Sequence, residues 1–543
     1  MAFAAGLLAV WFIAAPRTPD LAAAAYRLNL FDHLGLAVYD EHWYAGHDLP
    51  GYSVLFPPLA WLFGLRVVGA LSVLLSVFCF ERLTVAAYGP SVRWVTVAFA
   101  LAALGDVWIG RLAFALGVAF ALAAVLALAR ARPVVAGALA ALCAAASPVA
   151  GVLLALAALS DALWRRSPRA LCVLAVPAAV VVIPLGLLFP EGGAEPYPIV
   201  SFAATALVIA ACTWALPREQ SRLRLGGAIY LLACLLFLIV STPMGSNIER
   251  YGVLLAGPLL ACAVLSSGGR GLAAEAPPSD GEGSQANTPH AARRLRPAVV
   301  LALLAWAVWA GWGPVRETLA VADNESTRAP YYTPVERFLE QHAHGPVRLE
   351  VPLTRSHWET AELAPRVSLA RGWEKQLDTR FDGVLLAPGL SAGGYLRWLR
   401  EQAVSYVALP DAKLDPSSAR EGELIRGGLP YLREVFTSRH WRIYAVRSPT
   451  PLLSGPGRLT SLGHESFALS ASSPGSLLVR VHYTRYWTLA RGSGCVERAP
   501  GGWTKVLARA PGPLLVRARF SLGRALGLGG RCRVRQPSGA SAE

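Results

Sequence analysis

The chain has 543 residues, 54% hydrophobic and 16% charged, with a formal net charge of +15. A soluble protein carries about 25% charged residues, and here the deficit lies in the first part of the chain, so a wholly soluble protein is excluded. The basic excess does not indicate nucleic acid as a partner. Much of the arginine sits between apolar blocks, as membrane topology requires, and no zinc-finger spacing or aromatic-rich basic sheet is present.

In chain order, apolar blocks fall at about 2–16, 57–80, 92–108, 112–130, 133–147, 149–164, 170–189, 199–216, 225–242, 251–267 and 297–313. They predict about eleven transmembrane helices, the shorter ones extending into neighbouring turns to reach the ~20 residues a span needs. The first block lacks a charged leading region, and Ala14-Ala15-Pro16 is a poor cleavage site, so it reads as a helix and not a signal peptide. Alternate loops hold Arg82 and Arg93, Arg130 and Arg132, Arg165, Arg166 and Arg169, Arg218, Arg222 and Arg224, then Arg270, Arg293, Arg294 and Arg296. The other loops hold Arg17, Arg27, Arg111 and Arg250 among most of the acids. By the positive-inside rule the N-terminus is cytoplasmic and the C-terminal part extracytoplasmic, in a multi-pass plasma-membrane protein.

The first outer loop is the unusual one. Thr18-Pro19-Asp20 starts a helix, and "LAAAAYRLNLF" carries an apolar stripe suited to a membrane surface. "YDEHWYAGHDLPGYS" follows, with Asp40 and Glu41, His42 and His47, Trp43, Tyr44 and Tyr52. Later outer loops bring Asp106 with Arg111, and Glu249 with Arg250. Acids, imidazoles and arginines gathered at one membrane face suit a phosphate-bearing amphiphile: arginine holds the phosphate, and a carboxylate deprotonates an attacking hydroxyl. Each also has a plainer reading: Asp20 as a helix cap, Asp40 and Glu41 as solvated loop acids, and Asp106 and Glu249 as ion-pair partners of the neighbouring arginines. No cofactor is called for, apart from a divalent metal as an option at His42, His47 and Asp48, whose spacing fits no metal motif.

Residues 267–294 are Gly/Pro/Ser-rich and predict a disordered cytoplasmic loop inside a membrane domain of 1–314. An α/β domain is expected over 315–450. It has strands at 347–353, 405–410 and 440–447, and helices at 393–403 and 421–436. His357, Trp358 and Trp373 lie in it; tryptophan faces stack on sugars, although burial in a core is their commoner fate. A small β-sandwich is expected over 451–530, with a flexible tail at 531–543. Six cysteines lie in apolar blocks as small core residues. Cys495 and Cys532 flank a hairpin-like stretch on the oxidising side and are expected to form a disulfide.

The span ending near Asp20, the surface helix and "WYAGHDLPGYSVLFPPL" together resemble the GT-C class of membrane glycosyltransferases. "GRLAFALG" (110–117), "SPVAG" (147–151), "STPMGSN" (241–247) and "ARGWEKQLDTRF" (370–381) resemble blocks of an actinobacterial membrane-protein group loosely placed with that class. The likeness to the group covers most of the chain; that to characterised GT-C enzymes covers only the first loop and the architecture. The resemblance implies sugar transfer from a polyprenyl-phosphate donor to an envelope glycan or glycolipid on the extracytoplasmic face, with Asp20, or Asp40 beside Glu41, as base. Two other classes stay open. A transporter or flippase of envelope lipid would place ionisable groups at mid-membrane depth; these are nearly absent. A non-catalytic envelope-assembly protein would bind polysaccharide or a partner through its outer domains.

Overall fold

The computed structural model describes residues 1–190, 192–270, 297–527 and 532. The linker predicted at 267–294 falls almost wholly outside the described residues, as does the tail at 531–543 apart from Cys532. There are two compact units, neither continuous in sequence. Unit 1 holds Met1–Ala24, Ser53–Pro184 and Ala194–Ala320; unit 2 holds Ala25–Tyr52, Leu185–Gly193 and Val321–Glu543.

Unit 1 is helical. The apolar blocks are helical, that at 57–80 broken at Gly64 into Phe56–Phe63 and Leu65–Tyr88, and eight helices are long and apolar enough to cross a membrane: Leu65–Tyr88, Pro90–Ile109, Leu112–Ala129, Pro148–Arg165, Leu171–Leu188, Ser221–Ile239, Gly245–Ser266 and Pro297–Val321. The other three, Ala2–Ala14, Pro133–Ala146 and Ile199–Ala215, have 13, 14 and 17 residues. At about 1.5 Å rise per residue these fall short of a ~30 Å hydrocarbon core. The expected count of about eleven is therefore eight by length among the described residues. It becomes nine if Ala2–Ala14 and Pro19–Leu34, bent by 79°, form one broken span.

Local chemistry explains the helix ends and the close packing. Ser147 caps Pro148–Arg165 by accepting from the Ala150 amide at 3.4 Å, with proline in the first turn where no N–H is needed. Gly257 lies under the Trp306 ring, where a Cβ would stand 2.1 Å from a ring carbon, so this helix contact requires the missing side chain.

Unit 2 contains a five-stranded mixed sheet and two four-stranded antiparallel sheets. In the mixed sheet Arg348–Glu350 pairs in parallel with Ser368–Leu369 and Tyr406–Pro410, and Trp441–Val446 and Leu432–Thr437 complete it antiparallel. The helix expected at 421–436 is half strand. Ala419–Arg426 is helical, Gly427 and Gly428 end it (Gly428 at φ +82°), and Leu432–Thr437 then joins the sheet. The β-rich end has a core of Phe467, Leu469, Leu477, Val479, Val481, Trp487, Val506, Leu514 and Val516. Alternate residues of each strand supply it, as the two-residue period requires. Cys495 is bonded to Cys532, with Cα atoms 5.7 Å apart.

Candidate functional site

The candidate residues fall into two groups. In unit 1, the helix Val95–Ile109 ends at Gly110, whose positive φ (+102°) turns the chain directly into Leu112–Ala129. A Cβ on Gly110 would lie 2.4 Å from the Leu21 amide nitrogen, so the turn admits the start of the helix Pro19–Leu34 only because glycine stands there. The Thr18 hydroxyl donates to the Trp108 carbonyl at 3.0 Å and fixes the same approach. These constraints bring Asp20 to Arg111: Nε donates to Oδ2 at 3.1 Å, and Arg111 Nη1 is 3.7 Å from Asp106 Oδ1.

Arg250 adds a second cation. It donates to Asn247 Oδ1 at 2.5 Å and lies over the Phe114 ring at 5.0 Å, within electrostatic reach of Asp106. Glu249 lies beside Thr205 and Tyr197. Asp106 is buried, whereas the Asp20 and Arg111 side chains keep 27% and 29% of their exposure. The cluster therefore contains one reachable carboxylate, one enclosed carboxylate and two arginines. It can hold a phosphate oxyanion and accept a proton beside it.

The second group lies in unit 2, and its residues are used for packing. Tyr39–Asp40 forms a short ladder with His47–Asp48. The loop also bonds to neighbouring strands: Leu369 N donates to His42 O at 2.8 Å, and His482 N to Ala45 O at 2.9 Å. Asp40, 0% exposed, accepts from the Tyr26 hydroxyl at 2.6 Å, the His42 amide at 3.2 Å and His464 Nδ1 at 2.8 Å. Burial opposes its ionisation, but the hydrogen bond and charge of His464 hold its pKa below the usual carboxylate range. Glu41 accepts from Arg348 Nη2 at 2.6 Å and Ser368 Oγ at 3.1 Å, and burial pushes its pKa up to about 7 against the pull of Arg348. The side-chain donors to these acids, Tyr26, His464, Arg348 and Ser368, hold the loop in place, and Glu41 Oε2 is buried without a hydrogen-bond partner.

The aromatic residues behave likewise. Trp43 and Tyr44 are fully buried. The Trp43 ring covers Gly372, where a Cβ would stand 0.9 Å from Nε1. Tyr44 donates to Asp378 Oδ1 at 2.8 Å and accepts from the Glu374 amide. Tyr52 is partly exposed, with the Arg27 guanidinium 3.8 Å above its ring, and Arg27 pairs with Glu374 at 2.7 Å. His47 Nδ1 bonds to the Trp43 carbonyl at 3.1 Å. The two sequence motifs "YDEHWYAGHDLPGYS" and "ARGWEKQLDTRF" therefore meet through Tyr44 with Asp378 and Glu374 and through Trp43 over Gly372, while Trp43 Nε1 and His47 Nε2 make no hydrogen bond.

His42 lines a cavity of about 230 Å³ together with Ser368, Leu462, Glu336, Glu340 and Arg366; the lining does not include Asp40 or Glu41. Burial lowers the His42 pKa to about 4, so its ring is neutral, with Nδ1 bonded to the Ala364 carbonyl at 2.8 Å. His357 is buried between Glu359 (3.7 Å) and Asp415 (3.5 Å) and stacks on Trp373 at 4.2 Å. Burial opposes its protonation, but the two carboxylates raise its pKa to about 9. Trp358 is buried, so neither it nor the Trp373 face stacked on His357 is presented as a sugar platform. Among the described residues no group of three or more His, Cys, Asp and Glu is placed to hold a metal ion, and the divalent-metal option at His42, His47 and Asp48 finds no such group.

Several charged residues of unit 2 escaped the sequence reading. Arg348 anchors Glu41, and buried Arg371 pairs with Glu350 at 2.8 Å and with Glu421. His464 anchors Asp40. Their only sequence signal is a charged residue within or beside a short apolar strand, which does not name its partner. Compared with known proteins, the chain matches no protein-family model and no curated protein.

Proposed function

We propose that the chain is a membrane glycosyltransferase that uses the Asp20–Arg111–Asp106–Arg250 cluster to transfer a sugar from a polyprenyl-phosphate donor to a hydroxyl of an envelope glycan or glycolipid. The observation that carries this reading is the contrast in access. Asp20 keeps a partly exposed carboxylate beside a guanidinium, whereas Asp40 and Glu41 are enclosed by their own hydrogen bonds. In the proposed step Asp20 takes the proton of the acceptor hydroxyl and the hydroxyl oxygen bonds to the anomeric carbon. The bond from that carbon to the phosphate oxygen breaks, and polyprenyl phosphate leaves with the electron pair. Arg111 and Arg250 stabilise the charge on the departing phosphate. Asp106 stays buried and orients Arg111.

The GT-C-like architecture of about eleven spans, with an N-terminus inside and unit 2 outside, belongs to the same proposal. It is supported by the apolar helices and the alternation of arginine between loops. The test is sugar transfer by purified protein in lipid nanodiscs, given polyprenyl-phosphate-linked sugars and an envelope glycolipid. Asp20→Asn is expected to lower the rate by about 10²- to 10⁴-fold, and Arg111→Gln to weaken donor use, both at unchanged protein level. A non-catalytic role in envelope assembly is the second reading, favoured by the use of Asp40, Glu41, Trp43 and Tyr44 for packing. A wild-type protein inert towards every donor, yet retaining polysaccharide, would select it.

A further inference from the structure

An exposed apolar patch in unit 2 adjoins the end of an apolar helix. Leu171–Leu188 is one of the helices long and apolar enough to cross a membrane, and its last residues, Leu185–Leu188, belong to unit 2 with Phe189. The Phe189 ring packs against Tyr486 (5.3 Å between centroids) and Phe520 (5.9 Å), and Tyr486 and Phe520 are 5.6 Å apart. The Tyr486 hydroxyl donates to the Leu188 carbonyl at 2.8 Å, one of the carbonyls a helix end leaves without an internal partner. The short helix Leu522–Ala525 closes over this cluster with Ala525 buried. Arg485 donates to the Ala525 carbonyl at 2.8 Å and Arg524 to the Trp487 carbonyl at 2.6 Å, which fixes the short helix to the β-rich region. The outward side is apolar: Phe520 is 50% exposed, Leu522 62% and Leu526 63%. Leu522 and Leu526, four residues apart, share one face.

An exposed apolar patch built around rings at the end of a spanning helix has the composition of a membrane-interface anchor, where aromatic residues sit at headgroup depth and leucines reach the acyl boundary. Arg519 precedes it in sequence and suits lipid phosphates. We propose that Phe520, Leu522 and Leu526 enter the headgroup–acyl boundary of the bilayer that Leu171–Leu188 crosses, so that the β-rich region is held on lipid by its own side chains as well as by the chain. The occupant is lipid because the cluster is covalently continuous with a helix whose apolar length sets it at the membrane surface. This inference rests on reading the apolar helices as spans and is independent of the transferase proposal.

The test uses the full chain in nanodiscs containing anionic and zwitterionic phospholipid, with nitroxide labels at Leu522→Cys or Leu526→Cys in a Cys172→Ser background. Both sites are exposed, so labelling preserves the fold. Leu232, exposed on Ser221–Ile239, serves as the lipid reference after Leu232→Cys, and Ser472, exposed in the β-rich region, as the aqueous one after Ser472→Cys. Relaxation at 522 and 526 is expected to shift from control by an aqueous nickel complex to control by oxygen, as at 232 and opposite to 472. Nickel-dominated relaxation at 522 and 526, with 232 still reporting lipid, overturns the anchor. Dipolar broadening between two copies, with nickel excluded, assigns the patch to self-association and also overturns it. Water at 232 removes the spanning reading and the anchor with it.

Discussion

Asp20 and Asp40 occupy one polar loop of the sequence and two different physical situations. In unit 1, Asp20 shares Arg111 with Asp106 and keeps part of its carboxylate accessible. In unit 2, Asp40 has no exposed surface, and a tyrosine, a histidine and a backbone amide point at its oxygens. Both are acids with cationic or imidazole partners, so ionic pairing alone does not distinguish a site from a joint. Access does. A carboxylate with every approach filled by its own chain stabilises that chain, and one with an open side can meet a substrate.

The largest effect that sharpens the contrast is expected at Arg348. Arg348→Met leaves Glu41 buried without its cation, and breaking a buried pair in this way costs about 3–5 kcal/mol. Hydrogen exchange in Tyr406–Pro410, the strand beside Arg348–Glu350, should accelerate accordingly, and Glu41→Gln in the same chain should restore part of the protection. Unchanged exchange in the single variant would remove the structural role given to Glu41.

A smaller effect is expected with pH. His357 has its folded pKa raised to about 9 from an ordinary value of about 6.5. The stability it contributes is fully present below the unfolded pKa and is lost as pH rises through the folded one. The loss spans pH 6.5 to 9 and amounts to at most about 3 kcal/mol. His464, raised by Asp40 against the opposing effect of burial, acts in the same direction. Protection of unit 2 amides should therefore fall between pH 7 and 9, and His357→Asn should reduce the slope. A variant slope equal to the wild-type slope would contradict the buried imidazolium.

At the small end stands Arg366, 60% exposed and 3.1 Å from Glu336. Arg366→Ala should shift unfolding by less than about 1 kcal/mol, because solvent screens the pair. A larger loss, measured by thermal unfolding, would show that the exposed and enclosed pairs differ less than burial indicates. The topology of the comparison is open to a separate check in intact cells: external protease should spare a tag at the N-terminus or within 267–294 and remove one placed after residue 320. A protected tag after 320 would overturn the orientation on which the proposed site depends.

The helices were legible because apolar runs bounded by proline, glycine and arginine leave few alternatives, and each block is helical, with the break at Gly64 inside one of them unforeseen. Their lengths were less legible: alanine-rich blocks do not mark where a helix stops, and three helices have 13, 14 and 17 residues. At Gly427-Gly428 the leucines on either side suit both a helix stripe and a strand, and pairing with Trp441–Val446 decided for the strand. The fate of the polar segment between Arg17 and Phe56 was not legible at all. Glu41 finds Arg348 across 307 residues and Asp40 finds His464 across 424, and neither the spacing nor the composition of the loop specifies such partners. The neighbourhood of Asp106 and Arg111 was legible because only one tight turn separates them.

Whether access separates Asp20 from Asp40 is decided by making Asp20→Asn and Asp40→Asn separately and measuring sugar transfer per folded molecule alongside the unfolding midpoint. Asp20→Asn is expected to lose transfer by about 10²- to 10⁴-fold at an unchanged midpoint. Asp40→Asn is expected to lose about 1–3 kcal/mol of stability while each molecule that remains folded keeps its rate. Loss of transfer in Asp40→Asn at an unchanged midpoint, with Asp20→Asn fully active, would contradict that separation.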